Sequence, residues 1–344
     1  MQILLFIGYA AVLSFLITRS GFLRSSGLKP SLLVAVFLFF GITGCLHLII
    51  AYHYFPHHGD IWQMYTYSLQ LKPAFLHDFP AFAKEFFPAT FTGNIFSPNS
   101  GWTAFQGQAL VLLHLVFNFI SFDNIYINTL LFCFIMFWGN VAFYKVLLSR
   151  YPGMYCISFF LAFLIPSMIF WTSVIHKEAT LVFSLYWIIY SMQKLFHFTS
   201  LQNAQGSKKR FSHHGTYGSV IKYSVIILAS VFVIFITRKI LLITLLPALL
   251  YWYLAEKSSF KPFYILAAML LIPAAAIVLL NLFGQPFNAV DQVYQRQQEF
   301  LQLNGHSAIT LPQLDHSLAR MVRSFPVAVV NGLFMPIPGS GGNL

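Results

Sequence analysis

From residue 31 to residue 53 the chain carries no Asp, Glu, Lys or Arg, and seven other runs hold at most one each: 2–18, 124–144, 153–171, 179–194, 220–236, 240–255 and 262–283. A helix rises about 1.5 Å per residue and a bilayer's hydrocarbon layer is about 30 Å thick, so roughly 20 apolar residues make one crossing. Backbone polar groups in lipid must be satisfied within their own segment, which makes these runs helices. The expected fold is therefore all-α, a polytopic transmembrane helix bundle of about 8–10 membrane segments. Only 8% of residues are charged, against about 25% in soluble domains, while 58% are hydrophobic. A water-soluble enzyme is excluded, because a soluble core of this length needs a charged shell. Run 2–18 has no preceding Lys or Arg and no clean small-residue cleavage site, so it is expected to stay as a helix rather than be removed as a signal peptide.

The net charge of +11 follows from 20 Lys and Arg against 9 Asp and Glu. It must first be tested against membrane sidedness. Segment 105–122 is apolar but ambiguous; the positive-inside rule prefers it interfacial or re-entrant, which places Lys208, Lys209 and Arg210 opposite the Asp60 loop. On that parity Arg19, Arg24, Lys29, Lys145, Arg150, Lys194, Lys208, Lys209, Arg210, Lys222, Lys257 and Lys261 face the cytoplasm against one acid, Glu256. The positive balance is then topology, and no nucleic-acid partner is expected. Cys45, Cys133 and Cys156 form no CxxC motif and suggest no disulfide framework. The domain reading is one integral membrane domain, 1–344, with an outer loop at 54–107, a cytoplasmic loop at 195–219 and an outer segment at 284–324. The outer loop is punctuated by Pro73, Pro80, Pro88 and Pro98. Its aromatic content argues for short interfacial helices, such as one over 81–87. Segment 291–303 has helical spacing with a polar face, and the end after 339 leaves room for a truncated C-terminus.

Charges near spans are costly and mark candidate sites, with snorkelling to water as the plainer reading. Asp60 follows His57, His58 and Gly59 at the outer end of the second span. A carboxylate there suits a general base or a divalent-cation ligand with the imidazoles beside it; Gly-Asp is equally a common turn pair. Lys177 and Glu178 lie beside Ser173 and His176, a group of proton-active side chains, although Glu in a first helical turn is also favoured by the helix dipole. A Ser-His-Glu hydrolase is disfavoured, because no nucleophile-elbow glycines flank Ser173. Arg238 and Lys239 join two apolar runs on the outer side, against the positive-inside bias, and suit a lipid phosphate or pyrophosphate. Arg320 and Arg323, one turn apart, either join that anionic site or anchor an amphipathic helix. His213 and His214 read as cytoplasmic loop.

The arrangement resembles the GT-C superfamily of membrane glycosyltransferases, and bacterial exopolysaccharide polymerase-like membrane proteins of similar size. The resemblance rests on Gly59-Asp60 with Tyr65 and Tyr67 downstream and on the Pro-x-x-x-Phe-Trp-x-Ser piece, Pro166 to Ser173, leading into Lys177-Glu178. Arg238 and the Leu-Phe-x-Pro-x-Pro piece, Leu333 to Pro338, complete it. It implies Asp60 as catalytic base or metal-associated acid, Glu178 as second acid and Arg238 as phosphate ligand. It further implies a polyprenyl-phosphate-linked sugar donor, a glycan or lipid acceptor, and no fixed cofactor beyond a divalent cation. The implied location is the bacterial inner membrane with the active face outward. A lipid or anion transporter and a non-catalytic membrane protein are the rivals; the absence of an internal repeat weighs against the transporter.

Overall fold

The computed structural model describes residues 2–54, 60–86, 101–204, 213–238, 241–258 and 260–271 and, nearer the C-terminus, 294–295, 297–298, 314 and 317–334. Among these residues every regular element is helical. The elements are α1 (Gln2–Arg19), α2 (Gly21–Arg24), α3 (Pro30–Tyr54), α4 (Asp60–His77), α5 (Phe79–Phe86), α6 (Gly101–Ser121), α7 (Ile125–Arg150), α8 (Tyr155–Phe163), α9 (Pro166–Thr172), α10 (Lys177–Ala204), α11 (His213–Arg238) and α12 (Leu241–Lys257). Two more follow, α13 (Pro262–Leu271) and α14 (Leu318–Phe334). They fall into two compact units, Met1–Ala248 and Leu249–Leu344.

Among the described residues four helices are long and apolar enough to cross a membrane: α1, α3, α7 and the Gly218–Arg238 part of α11. A fifth crossing forms if α8 and α9, bent by 40° at their junction, count as one broken span. The bundle class expected from the apolar runs is present. Of the other expected crossings, 179–194 lies within α10, 240–255 coincides with α12, and 262–283 is described only as far as α13. Neither α10 nor α12 is both long and apolar enough to count, and the remainder of 262–283 lies outside the described residues. Segment 105–122 forms most of α6, whose apolar portion Gly107–Ser121 is also short for a full crossing.

Helix ends follow local chemistry. Asn124 caps α7, its side chain accepting from the Tyr126 and Ile127 amides. Pro166 opens α9 at the position where a missing N–H costs least. Phe122 and Asp123 take positive φ, 55° and 59°, to turn α6 back into α7, and the two helices form a hairpin. Across it Asn128 donates to Asn118 at 2.6 Å, and Asn118 donates to Ser68 of α4 at 2.8 Å. These bonds pair both Asn118 side-chain groups and the Asn128 side-chain N–H, which lipid could not do.

The principal core lies where α1, α3, α7 and α8 meet, around Phe37, Phe40, Phe137 and Phe163. Close approach depends on two glycines of α3. A Cβ on Gly44 would stand 2.3 Å from the Ser173 carbonyl oxygen, and one on Gly41 2.8 Å from Leu130. α10 runs parallel to α7, as shown by the Phe143–Tyr186 stack at 4.3 Å and by Val146 packing with Tyr190. It runs antiparallel to α11, since Glu178 meets Arg238 while Tyr190 meets Tyr223. The outward face of α11 shows Ile221, Val225, Leu228 and Phe232, all exposed at helical spacing, the stripe expected of a lipid-facing helix.

The segments expected as loops contain much helix. α4 and α5 occupy 60–86, with α5 close to the interfacial helix expected at 81–87. α10 and α11 extend into 195–219, leaving only 205–212 between them. In the expected outer segment, 294–295 and 297–298 are helical and α14 begins at Leu318.

Candidate functional site

Four helix ends meet at one end of the first unit. Leu48 near the end of α3, Ile61 at the start of α4, Ile125 at the start of α7 and Val174 just before α10 form one buried cluster. The α9–α10 junction is pinned there from two sides. On the α3 side, His47 Nδ1–H donates to the Phe170 carbonyl at 2.9 Å, and the imidazole stacks on Phe170 at 3.9 Å. On the α7 side, the Cys133 thiol donates to the Ser173 carbonyl at 3.1 Å. Trp171 in turn lies 5.5 Å from His176. The backbone that carries His176, Lys177 and Glu178 is thus fixed before those side chains act.

Glu178 sits in the first turn of α10, where the helix dipole favours an anion. One of its oxygens, Oε1, accepts from Arg238 Nη2 at the end of α11; the other, Oε2, pairs with His176 Nδ1. The His176 hydrogen bond, reinforced by the Arg238 charge, holds the Glu178 carboxyl down at about 2 against the opposing effect of burial. The two residues singled out separately as acid and phosphate ligand are therefore partners. Half of Arg238 remains exposed, with guanidinium donors left for an anion. Lys177, half-buried, is the neighbouring cation on α10.

Asp60 opens α4 at this same end and is exposed. Its neighbour Ile61 packs with Val174, four residues before Glu178. Among the described residues no hydrogen bond or ion pair joins Asp60 to Glu178 or Arg238. His57, His58 and Lys239 lie outside the described residues. Among those described, no three His, Cys, Asp or Glu side chains gather as a metal site. Arg320 and Arg323 are exposed on α14, in the second unit.

Two residues at this end escape sequence reasoning. Lys72 of α4 donates to both Asp123 oxygens, at 2.6 and 2.8 Å, and Tyr65 O–H donates to the Asp123 carbonyl at 2.6 Å. Asp123 shows in the sequence only as the polar break between two apolar runs. Its partner lies 51 positions away, beyond any local pattern.

Below the Glu178–Arg238 pair, a cleft of about 240 Å³ opens between α10 and α11, lined by Phe183, Trp187, Ile226 and Val233 with Ser184 and Ser230. Its lining starts five residues from Glu178 on one helix and five from Arg238 on the other. The cation therefore stands beyond one end of a shallow apolar cleft, an arrangement that suits a ligand with an anionic head and a hydrocarbon tail. No family model matches the chain, and no curated protein or solved structure matches it either.

Proposed function

We propose that the chain is a membrane-embedded glycosyltransferase that uses a polyprenyl-phosphate-linked sugar donor in cell-surface polysaccharide or glycan assembly. The observation that carries this reading is the Glu178–Arg238 pair at the head of the α10–α11 cleft, with an exposed carboxylate, Asp60, at the same end. A donor held in lipid needs a groove for its tail, a cation at headgroup depth for its phosphate and a base near the acceptor. In this reading Arg238, with Lys177, holds the phosphate, and Glu178 and His176 position Arg238. Asp60 accepts the proton of the acceptor hydroxyl as that oxygen attacks the anomeric carbon. The bond from that carbon to the phosphate oxygen breaks, and polyprenyl phosphate leaves. The protein then belongs to the bacterial inner membrane, with the Asp60 end outward.

The test is sugar transfer in membranes with a labelled lipid-linked donor. Asp60→Asn is expected to lower the rate about 10²-fold or more, the usual contribution of a general base. Unchanged transfer removes that role. The break between α8 and α9 favours a second reading, a lipid or anion transporter, because discontinuous helices build transport sites. Lipid-linked intermediates in cells lacking the protein separate the readings. Undecorated acceptor supports a transferase, stalled repeat units support a polymerase, and donor trapped in one leaflet supports a transporter.

A further inference from the structure

At the opposite end of the first unit three helices each bring a lysine to a continuous group of aromatic rings. Lys145 of α7 places its Nζ 3.6 Å from the centre of the Phe22 ring. Lys194 of α10 lies 5.5 Å from the Tyr190 ring, and Lys222 of α11 lies 5.8 Å from the Tyr223 ring. The rings are themselves in contact, Phe22 with Tyr190 at 5.8 Å and Tyr190 with Tyr223 at 6.2 Å. Trp138 and Trp187 also stack on Phe22.

Among the described residues none of these three lysines is paired with a carboxylate. Between residues 19 and 29, 145 and 153, and 194 and 222 the sequence contains ten Lys and Arg and not one Asp or Glu. Lys145 donates to Ser25 Oγ at 2.7 Å and to the Phe22 carbonyl, which leaves one of its three protons to offer. Lys145 and Lys194 are also close enough to repel each other. Gathering like charges onto one half-buried aromatic patch is unfavourable unless an anion joins them.

Depth points to the kind of anion. Lys222 precedes Arg238 by 16 residues on α11, about 24 Å along a helix. Charges that far apart, at the two ends of one apolar stretch, mark the two headgroup layers once long side chains reach outward. Aromatic rings belong at the same level.

We propose that Lys145, Lys194 and Lys222, with Ser25, form a binding site for the phosphate of an anionic phospholipid in the leaflet at this end. The site lies at the opposite end of α10 and α11 from Arg238 and does not depend on glycosyl transfer.

The test measures lipid binding to the purified full-length protein by native mass spectrometry, with phosphatidylglycerol as probe. Phosphatidylcholine and inorganic phosphate are the comparison arms. The wild type is expected to retain phosphatidylglycerol in preference to phosphatidylcholine. Lys194→Gln with Lys222→Gln should weaken it about fivefold per lysine, the usual worth of one cation at a membrane surface. Neither of those two lysines holds the fold by a hydrogen bond to another residue among the described ones, so the double variant keeps the test readable if Lys145→Gln does not fold. Removing the same kind of charge from Lys208, Lys209 and Arg210 should leave binding within twofold of wild type. Equal loss in that control assigns the effect to general charge and overturns the site. So does equal retention of phosphatidylcholine, or saturation of the lysines by inorganic phosphate alone.

Discussion

The two ends of the α10–α11 pair hold their charges differently. At one end Arg238 is matched by Glu178, and Glu178 by His176, so these three side chains find partners within the chain. At the other, Lys145, Lys194 and Lys222 share aromatic rings, and among the described residues no carboxylate pairs with them. The first end is preorganised by the protein alone; the second is left for something outside the protein to complete. Charge at a membrane boundary is therefore not one phenomenon, and the presence of an internal counter-charge separates a built site from a surface awaiting lipid.

The largest expected effect tests the platform under the matched end. Gly44→Val forces a side chain against the Ser173 carbonyl, and should destabilise the protein by about 1–3 kcal/mol, the cost of overpacking a tight contact. Thermal unfolding in detergent reads this. No loss of Tm means that α3 can shift, and that the α9–α10 junction is not fixed by it.

Smaller, and sharper, is a double-mutant cycle. Glu178→Gln and Arg238→Gln should show a coupling of about 0.5–1 kcal/mol, modest because more than a third of each side chain is exposed. Lys222→Gln in lipid-free detergent should change stability by less than about 0.5 kcal/mol. If the lysine proves the costlier loss, the contrast between the two ends fails.

The smallest effect is in pH. The folded Glu178 carboxyl titrates below its ordinary value, so its pairing stabilises the fold above about 4.5 and is lost as pH falls toward about 2. Acid unfolding of wild type and Glu178→Gln should therefore converge only as pH reaches about 2 and separate fully above about pH 5. Parallel curves across that window would show that the pairing is not formed.

The sequence carried the helical class because lipid leaves an apolar run few alternatives, and α3 and α7 fall where runs 31–53 and 124–144 place them. Helix ends beyond the bilayer were less legible. Nothing in a hydropathy pattern stops α10 at Lys194, and it continues to Ala204 because a helix is indifferent to the membrane surface. Residue types also singled out Glu178 and Arg238 one by one, yet their pairing joins positions 60 apart. That contact belongs to the antiparallel packing of α10 and α11, which no local spacing encodes. The same holds for Lys72 with Asp123, and for the three lysines gathered around Phe22, Tyr190 and Tyr223.

The amide clasp between Asn118 and Asn128 bears on how the protein is made. Either helix entering hydrocarbon alone would carry a wholly unpaired carboxamide, whereas the two entering together bond the Asn128 side-chain N–H to the Asn118 side-chain oxygen across the Phe122–Asp123 bend. A nascent chain released before Asn128 is therefore expected to leave α6 accessible to aqueous labelling reagents.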